Sequence, residues 1–313
     1  MRIFLALLFL LITLLKPLFS EEDQNNFEPL YAGTLLAFFP QNIPPGHISV
    51  QPYIYYTRTN ALYNKHWSPQ SIKNVDFTTL SLSLETGITP YLDFTLYLNE
   101  SYNRFGNRHT LIFTDTSAYL GFQVTRDQKG TSIPDFRILL GETFPTGKYD
   151  HLNPKKQGSD ISGSGSYQTT FLIVVRKIFY VPKHPFDINL NLYYILSAPT
   201  HVRDLSVYLG GPGTHGTVKP GDQFIVNLAI DYSLTRYWAL GLDAHYHHQN
   251  RSRFSGKTLL PAGLPSSETF SLAPCLEYSY STDFSLAGGV WFSVAGRNSV
   301  QFRSAVFNVY YYF

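Results

Sequence analysis

The stretch DINLNLYYIL, residues 187–196, decides the fold. Asp187, Asn189, Asn191 and Tyr193 fall on one register, and Ile188, Leu190, Leu192, Tyr194 and Leu196 on the other. A two-residue period with one wet and one oily face marks a β-strand. It returns over Thr79–Glu85, Leu92–Asn99, Phe224–Tyr232 and Trp238–Tyr246, each time with aromatic or branched residues on the oily register. In hydrocarbon every backbone group needs a partner inside the protein. Strands therefore cross a membrane only as a closed barrel, with lipid-facing apolar residues alternating with lumen-facing polar ones.

Outward from this stretch, the pattern predicts strands at 47–57, 77–86, 92–102, 116–125, 134–144, 167–177, 186–197, 222–233, 238–249, 268–279, 284–294 and 302–313. A tilted strand of about 9 to 11 residues spans a bilayer, and about twelve is an even count, as bacterial barrels have. The connections Gly87–Tyr91, Arg126–Ile133, Ile178–Pro185, Leu234–Tyr237 and Tyr280–Asp283 are short. Between them fall the longer Arg58–Asp76, Asn103–Asp115, Pro145–Ser166, Ala198–Gly221, Asn250–Ser267 and the more modest Ala295–Gln301. Such barrels have short periplasmic turns and long external loops, so with both termini in the periplasm the long segments are expected outside. In the last strand Ala305, Phe307, Val309, Tyr311 and Phe313 share the lipid-facing register, and an uncovered aromatic edge of this kind on a soluble protein would invite aggregation.

At the other end, Arg2 precedes the apolar run Ile3–Leu15, broken by Thr13 and ended by Lys16 and Pro17. The run is shorter than the roughly 20 residues of a spanning helix and reads as an export leader cleaved near Ser20. The expected division is a signal peptide at 1–20, an N-terminal periplasmic segment at 21–46 opening on Glu21, Glu22 and Asp23, and a barrel at 47–313. Within the second part, Pro29–Pro40 (PLYAGTLLAFFP) is apolar without alternation, so it is no lipid-facing strand. Leu35, Leu36, Phe38 and Phe39 left in water would form an apolar patch of a kind soluble surfaces rarely carry. We expect the segment to plug the periplasmic mouth, with Pro44, Pro45 and Gly46 turning the chain into the first strand; pairing as an extra strand is the competing expectation.

Losing Arg2 and Lys16 with the leader leaves 22 residues of each charge sign, which predicts no nucleic-acid partner. A mean hydropathy of −0.10 conceals membrane character because half of every barrel strand is polar, whereas 16% aromatic residues suit girdles at two membrane interfaces. Cys275 is the single cysteine, so no intramolecular disulfide forms.

Asp243, His245 and His247 share the lumen register of one strand, and Cys275 and Glu277 that of the next, a set with metal-ligand residue types. Asp243, His245 and Ser271 form a hydrolase-like trio by residue type, yet alternation brings such trios together in any polar lumen. The glycine-rich stretches Gly158–Ser166 and Gly210–Gly216 read as flexible loops, since neither follows a strand and opens a helix as a phosphate cradle requires. No catalytic residue, metal or cofactor is expected. A set of acids, Glu85, Asp93, Asp135, Asp187, Asp231 and Glu277, falls on or near the lumen register at the periplasmic end, with Arg137 and Arg176 in the same half. It reads as a solvated, mutually paired rim or as a collar favouring cations. The external segments are rich in Lys and Arg, which suits outer-membrane lipids and the phosphates of lipopolysaccharide as well as simple solubility.

Three stretches carry a family resemblance: Leu139–His151 (LLGETFPTGKYDH), Pro220–Leu242 (PGDQFIVNLAIDYSLTRYWALGL) and Phe270–Phe313, ending VYYYF. They resemble the outer-membrane family named for the meta-pathway of phenol degradation. The resemblance implies an outer-membrane barrel passing small aromatic or hydrophobic compounds. Similarity to outer-membrane barrels further implies that Phe307, Val309, Tyr311 and Phe313 are a signal read by the barrel assembly machinery. The reading is therefore an all-β, transmembrane antiparallel up-and-down barrel in the outer membrane of a Gram-negative bacterium, a channel for small-molecule solutes by passive diffusion. Its lumen would be lined by Tyr53, Tyr55, Tyr97, Asn99, Asn189, Asn191, Tyr193, Asn227 and Trp291. A structural or surface-interaction barrel with basic external loops is the alternative, and an outer-membrane hydrolase a minor one.

Overall fold

The computed structural model describes residues 27–313; the expected leader and the acids Glu21, Glu22 and Asp23 lie outside the described residues. The chain forms β1 (Ile48–Tyr63), β2 (Pro69–Thr89), β3 (Leu92–Phe105), β4 (Arg108–Phe113), β5 (Thr116–Thr125), β6 (Asp135–Phe144), β7 (Gln168–Phe179) and β8 (Phe186–Ser197). It continues with β9 (Thr200–Arg203), β10 (His215–Lys219), β11 (Gln223–Ser233), β12 (Trp238–Gln249), β13 (Arg253–Lys257), β14 (Ser267–Ser279), β15 (Phe284–Arg297) and β16 (Ser299–Tyr312). The main sheet runs β2, β1, β16, β15, β14, β12, β11, β8, β7, β6, β5, β3, and the β2–β3 ladder closes it into a barrel. The upper part of β3 pairs with β4 and the lower part with β5, so β4 and β5 form one wall position kinked at Thr114 and Asp115. The wall is thus a twelve-strand antiparallel barrel, with a backbone radius of about 12 Å at a 4.8 Å strand spacing and roughly 40° tilt.

Alternation sorts the side chains as the sequence predicts. On β8 Asp187, Asn189 and Asn191 are buried inside while Tyr194 and Leu196 are exposed outside. The outer surface carries a band of exposed apolar residues, including Leu80, Leu98, Leu120, Ile138, Phe171 and Leu240. No described helix is long and apolar enough to cross a membrane, and the crossing is made by strands. Both ends of the barrel chain lie at the short-turn end, where Ile48 N donates to Phe313 O (2.8 Å) and Phe313 N to Ile48 O (3.0 Å).

Several expected loops are strands instead. Arg58–Asp76 is largely an extension of the β1–β2 ladder up to Tyr63 and Pro69, and Asn103–Asp115 is mostly the β3–β4 hairpin. Ala295–Gln301 narrows to a turn at Asn298 between β15 and β16. These projecting parts lack a continuous oily register because they stand above the lipid. Inside Ala198–Gly221 and Asn250–Ser267 lie β9, β10 and β13, which form a separate three-stranded sheet. Val202, Tyr208 and Val218 make a small core there with Tyr149, Phe254 and Leu264.

The glycine-rich stretches are ordered parts of this loop cluster. Asp115 accepts hydrogen bonds from Gly147 N (2.9 Å) and Ser164 N (2.8 Å), and Tyr208 Oη donates to Ser164 O (2.7 Å). Lys148 Nζ lies 2.9 Å from Asp160. Burial pushes the Asp160 carboxyl up, but the Asn153 amide and the Lys148 ammonium outweigh burial and hold it below its ordinary value.

Candidate functional site

The lumen is where the sequence's polar register converges, and residues 27–46 enter it. At the short-turn end Leu30 N donates to Arg236 O (3.1 Å), in the turn between β11 and β12. The chain then climbs: Ala32 N reaches Glu277 Oε2 (3.2 Å) on β14, and Asp243 on β12 accepts from Thr34 Oγ1 (2.7 Å) and Leu36 N (3.2 Å). Near the apex Phe38 N donates to Asn191 Oδ1 (2.5 Å), and Asn189 Nδ2 to Phe38 O (3.2 Å). The chain then descends along the opposite wall. Gln41 Nε2 bonds Asp135 (3.0 Å), Asn42 N bonds Gln123 Oε1 (2.8 Å) and Ile43 N bonds Asp93 Oδ2 (3.2 Å). Pro45 bridges to Gly87 at the short-turn end. The segment is a U whose limbs share one mouth and whose apex, Leu35 to Phe38, stands at mid-height.

This arrangement explains the missing alternation in PLYAGTLLAFFP. An irregular segment has amide donors that no ladder satisfies, and buried donors must find acceptors. The wall supplies them as carboxylates and side-chain amides. Leu35 packs against Ala273, Cys275, Ala287 and Val306, and Phe38 against Leu139, Leu172 and Val174. Gly87 permits the close exit, since a Cβ there would stand 2.2 Å from Pro44 O.

All of the predicted acids face inward and are buried, which corrects the reading of a solvated rim. Arg137 Nη2 contacts Glu85 (2.7 Å) and Asp93 (2.5 Å), while its Nη1 donates to the carbonyls of Phe39 (2.8 Å) and Gln41 (3.3 Å). Its guanidinium also lies 5.5 Å from the Phe38 ring centre, in cation–π range. Arg137 therefore joins two wall acids to the inserted backbone. A Cβ at Gly121 would come 2.3 Å from Asp93 and 2.6 Å from Arg137, so the clamp requires glycine there. Arg176 lies 2.8 Å from Asp135 and 3.6 Å from Asp187. Asp231 sits directly opposite Asp187 and pairs with no cation among the described residues. Outside the wall, Lys129 lies 2.8 Å from Glu28, and its hydrogen bond holds the Glu28 carboxyl below its ordinary value.

At mid-height the lining changes character. Tyr53 and Tyr55 stack at 5.8 Å, Tyr97 and Tyr119 meet edge to face at 5.9 Å, and Phe38 approaches Tyr119 at 5.6 Å. Tyr193 packs with Tyr119 and Phe38 in the same cluster. Trp291, packed against the same cluster as Tyr53 and Tyr55, donates from Nε1 to Ser271 Oγ (2.9 Å), with His245 and Phe302 edge-on to its ring. Of the other predicted lining residues, Asn227 bonds Asp243 (2.8 Å) and Asn99 reaches Asp115 O (3.3 Å). Asn189 and Asn191 hold the inserted segment as described above.

The hydrolase-like trio is not assembled: Asp243 is engaged by Thr34, Leu36 and Asn227, while Ser271 is held by Trp291. His247 bonds Gln223 (2.9 Å), and among the described residues no group of His, Cys, Asp and Glu is placed to hold a metal. The sequence reading missed Gln123, Tyr119 and the part played by Asp243. A glycine at 121, on an otherwise bulky strand, was the available sign that something large crosses the wall's inner face there.

Residues 41–309 match the model of the family described as "Putative MetA-pathway of phenol degradation". No curated protein sequence matches the chain. An outer membrane channel from Pseudomonas putida F1 has a similar structure, with a TM-score of 0.65 at 12% identity over 87% of this chain and 97% of its own. The transport unit of the autotransporter AIDA-I from Escherichia coli is a looser likeness, with a TM-score of 0.45 at 11% identity over 89% of this chain and 94% of its own.

Proposed function

Because the chain belongs to the family described as the putative MetA-pathway of phenol degradation, and its fold is a closed membrane-spanning barrel, we propose that it is an outer-membrane channel passing small aromatic or hydrophobic solutes by passive diffusion. The observation that carries the reading is the ring-lined layer of Tyr53, Tyr55, Tyr97, Tyr119, Tyr193 and Trp291 at mid-height in the lumen. Aromatic faces and edges receive a planar apolar solute by offset and edge-to-face contacts. The inserted U, with Phe38 among the rings, is in this reading the gate below that layer. The long connections face the outside, and both chain ends the periplasm.

The test is entry of phenol against a sugar into vesicles containing the purified protein. Phenol should enter faster than in protein-free vesicles while the sugar does not, and Tyr97→Ala with Tyr193→Ala should narrow the difference. Equal protein-dependent entry of both solutes, or of neither, overturns the reading.

The outward register of β16 supports a further part of the proposal. Phe307, Tyr311 and Phe313 are exposed on the lipid face, and Val309 lies on the same register. This pattern serves as the assembly signal, so deleting Phe313 should leave export intact and reduce the heat-modifiable, membrane-inserted form. Undiminished insertion would remove that role.

A further inference from the structure

Arg58 on β1 and Arg303 on β16 are directly opposite partners on the outer face of the barrel. Like charges placed so are destabilising unless something neutralises them. Arg58 has such a partner in Asp76, with Nε at 2.7 Å and Nη2 at 3.4 Å. Arg303 is exposed and makes no ion pair or hydrogen bond among the described residues.

Their height along the wall matters. From Phe313 up to Arg303 the strand climbs roughly 33 Å, or about 25 Å vertically at a 40° tilt, which is the height of a barrel's apolar band. Below the two arginines the outer face is oily, with Phe307 and Tyr311 on β16 and Ile54 and Tyr56 on β1 exposed. Beside them a groove of about 540 Å³ opens between β15, β16, β1 and β2. Its lining includes Arg58, Arg303, Asn60 and Asn74, with Phe292 directly opposite Arg303, and the paired Val290 and Ala305 lie two residues nearer the short-turn end. The groove is cationic and amide-lined at the membrane's edge and apolar beneath, the order of groups in a lipid with an anionic head.

We propose that this groove binds a phosphorylated glycolipid of the outer leaflet, with a phosphate on Arg303 and Arg58 and an acyl chain along Phe292, Val290 and Ala305. Guanidinium forks fit phosphate oxygens in two-point contacts. The phosphate also resolves the opposition of the two arginines, which Asp76 relieves only on the Arg58 side. The site is on the barrel wall, distinct from the basic loops. It rests on the outer-membrane placement proposed above and not on conduction, so a barrel that passes no solute would leave it intact.

The full-length protein in detergent is titrated with bisphosphorylated lipid A, with the dephosphorylated lipid and with inorganic phosphate, and bound lipid is read by native mass spectrometry. Bisphosphorylated lipid A should be retained, and Arg303→Gln should weaken retention by about tenfold or more, the loss of a charge-assisted contact. Arg303→Lys, which keeps the charge, should fall between the two, while Lys257→Gln in the loop cluster should bind as wild type. Should Arg303→Gln not fold, as judged by heat modifiability, the Arg303→Lys and lipid comparisons decide. Equal retention of the dephosphorylated lipid, or undiminished binding by the arginine variants, overturns the proposal. Displacement of lipid A by millimolar inorganic phosphate would show a simple anion site and overturn it as well.

Discussion

At its short-turn end the lumen is lined by ions bonded to one another or to the inserted segment, whereas at mid-height, beside Asp243 and the amides that hold the apex, it is lined by rings that largely touch each other. Both linings come from the same alternating register of the same strands. Glu85, Asp93, Asp135 and Glu277 are each bonded to Arg137, Arg176 or the segment. Tyr53, Tyr55, Tyr97 and Trp291 instead meet neighbouring rings. The difference follows from what each level must accommodate. An irregular stretch of backbone brings unpaired donors and carbonyls, which demand charged or amide partners in a space closed to water. In the proposed function, a transient planar solute would bring no such demand, and rings would receive it without fixed geometry.

The sharpest way to break this comparison is to remove the segment. A chain lacking residues 29–40 but keeping 1–28 and 41–313 should still form the barrel, because no strand or ladder is touched, and its acids would then face water. Single-channel conductance in a planar bilayer should rise several-fold. Unchanged conductance would mean that the segment does not limit the pore, and loss of the heat-modifiable barrel that it belongs to the fold rather than to a gate.

Next in size is Arg137→Ala. It leaves Glu85 and Asp93 facing each other without their cation, and the carbonyls of Phe39 and Gln41 without that donor. Breaking a buried pair from one side costs about 3–5 kcal/mol, so the urea midpoint in vesicles should fall and the open-channel noise grow. Wild-type stability and a quiet current would show that the clamp does not hold the segment.

The division of legible from illegible features follows the same line. Alternation on β8, β11 and β12 announces the wall because lipid outside and water or protein inside impose a period of two. β10 (HGTVK) and β13 (RFSGK) carry no such pattern, since they pair above the membrane with little to bury. The register of the acids was readable, and so was the refusal of PLYAGTLLAFFP to be a strand. Their joining was not, because the atoms that connect them are main-chain amides of Ala32, Leu36 and Ile43, which every residue type but proline possesses.

The smallest expected effect lies outside the lumen, in the loop cluster, and sharpens the contrast by acting on neither lining. Asp160 is held below its ordinary carboxylate value by Asn153 and Lys148, against the push of burial. A depressed carboxyl contributes stability that is fully present above its unfolded value and lost as pH falls through the lower folded value. Amide exchange around Asn153, corrected for intrinsic rate, should therefore speed up below about pH 4 and should lose that dependence in Asp160→Asn. Acid sensitivity that persists in the variant would assign the effect to another group.

The shape of the inserted segment has a mechanical consequence. Leu30 and Pro45 lie at the same mouth, on the turns beside Arg236 and Gly87, so the chain enters and leaves by one door. A strand threaded through the bore from end to end would have to be in place before the wall sealed, and could be cleared only by pulling a free end along its whole length. A bight pushed in from one side obeys neither restriction. It can be inserted after β1 has joined β16 and withdrawn without unzipping any seam, like a stopper on a tether whose fixed end is the first strand of the wall.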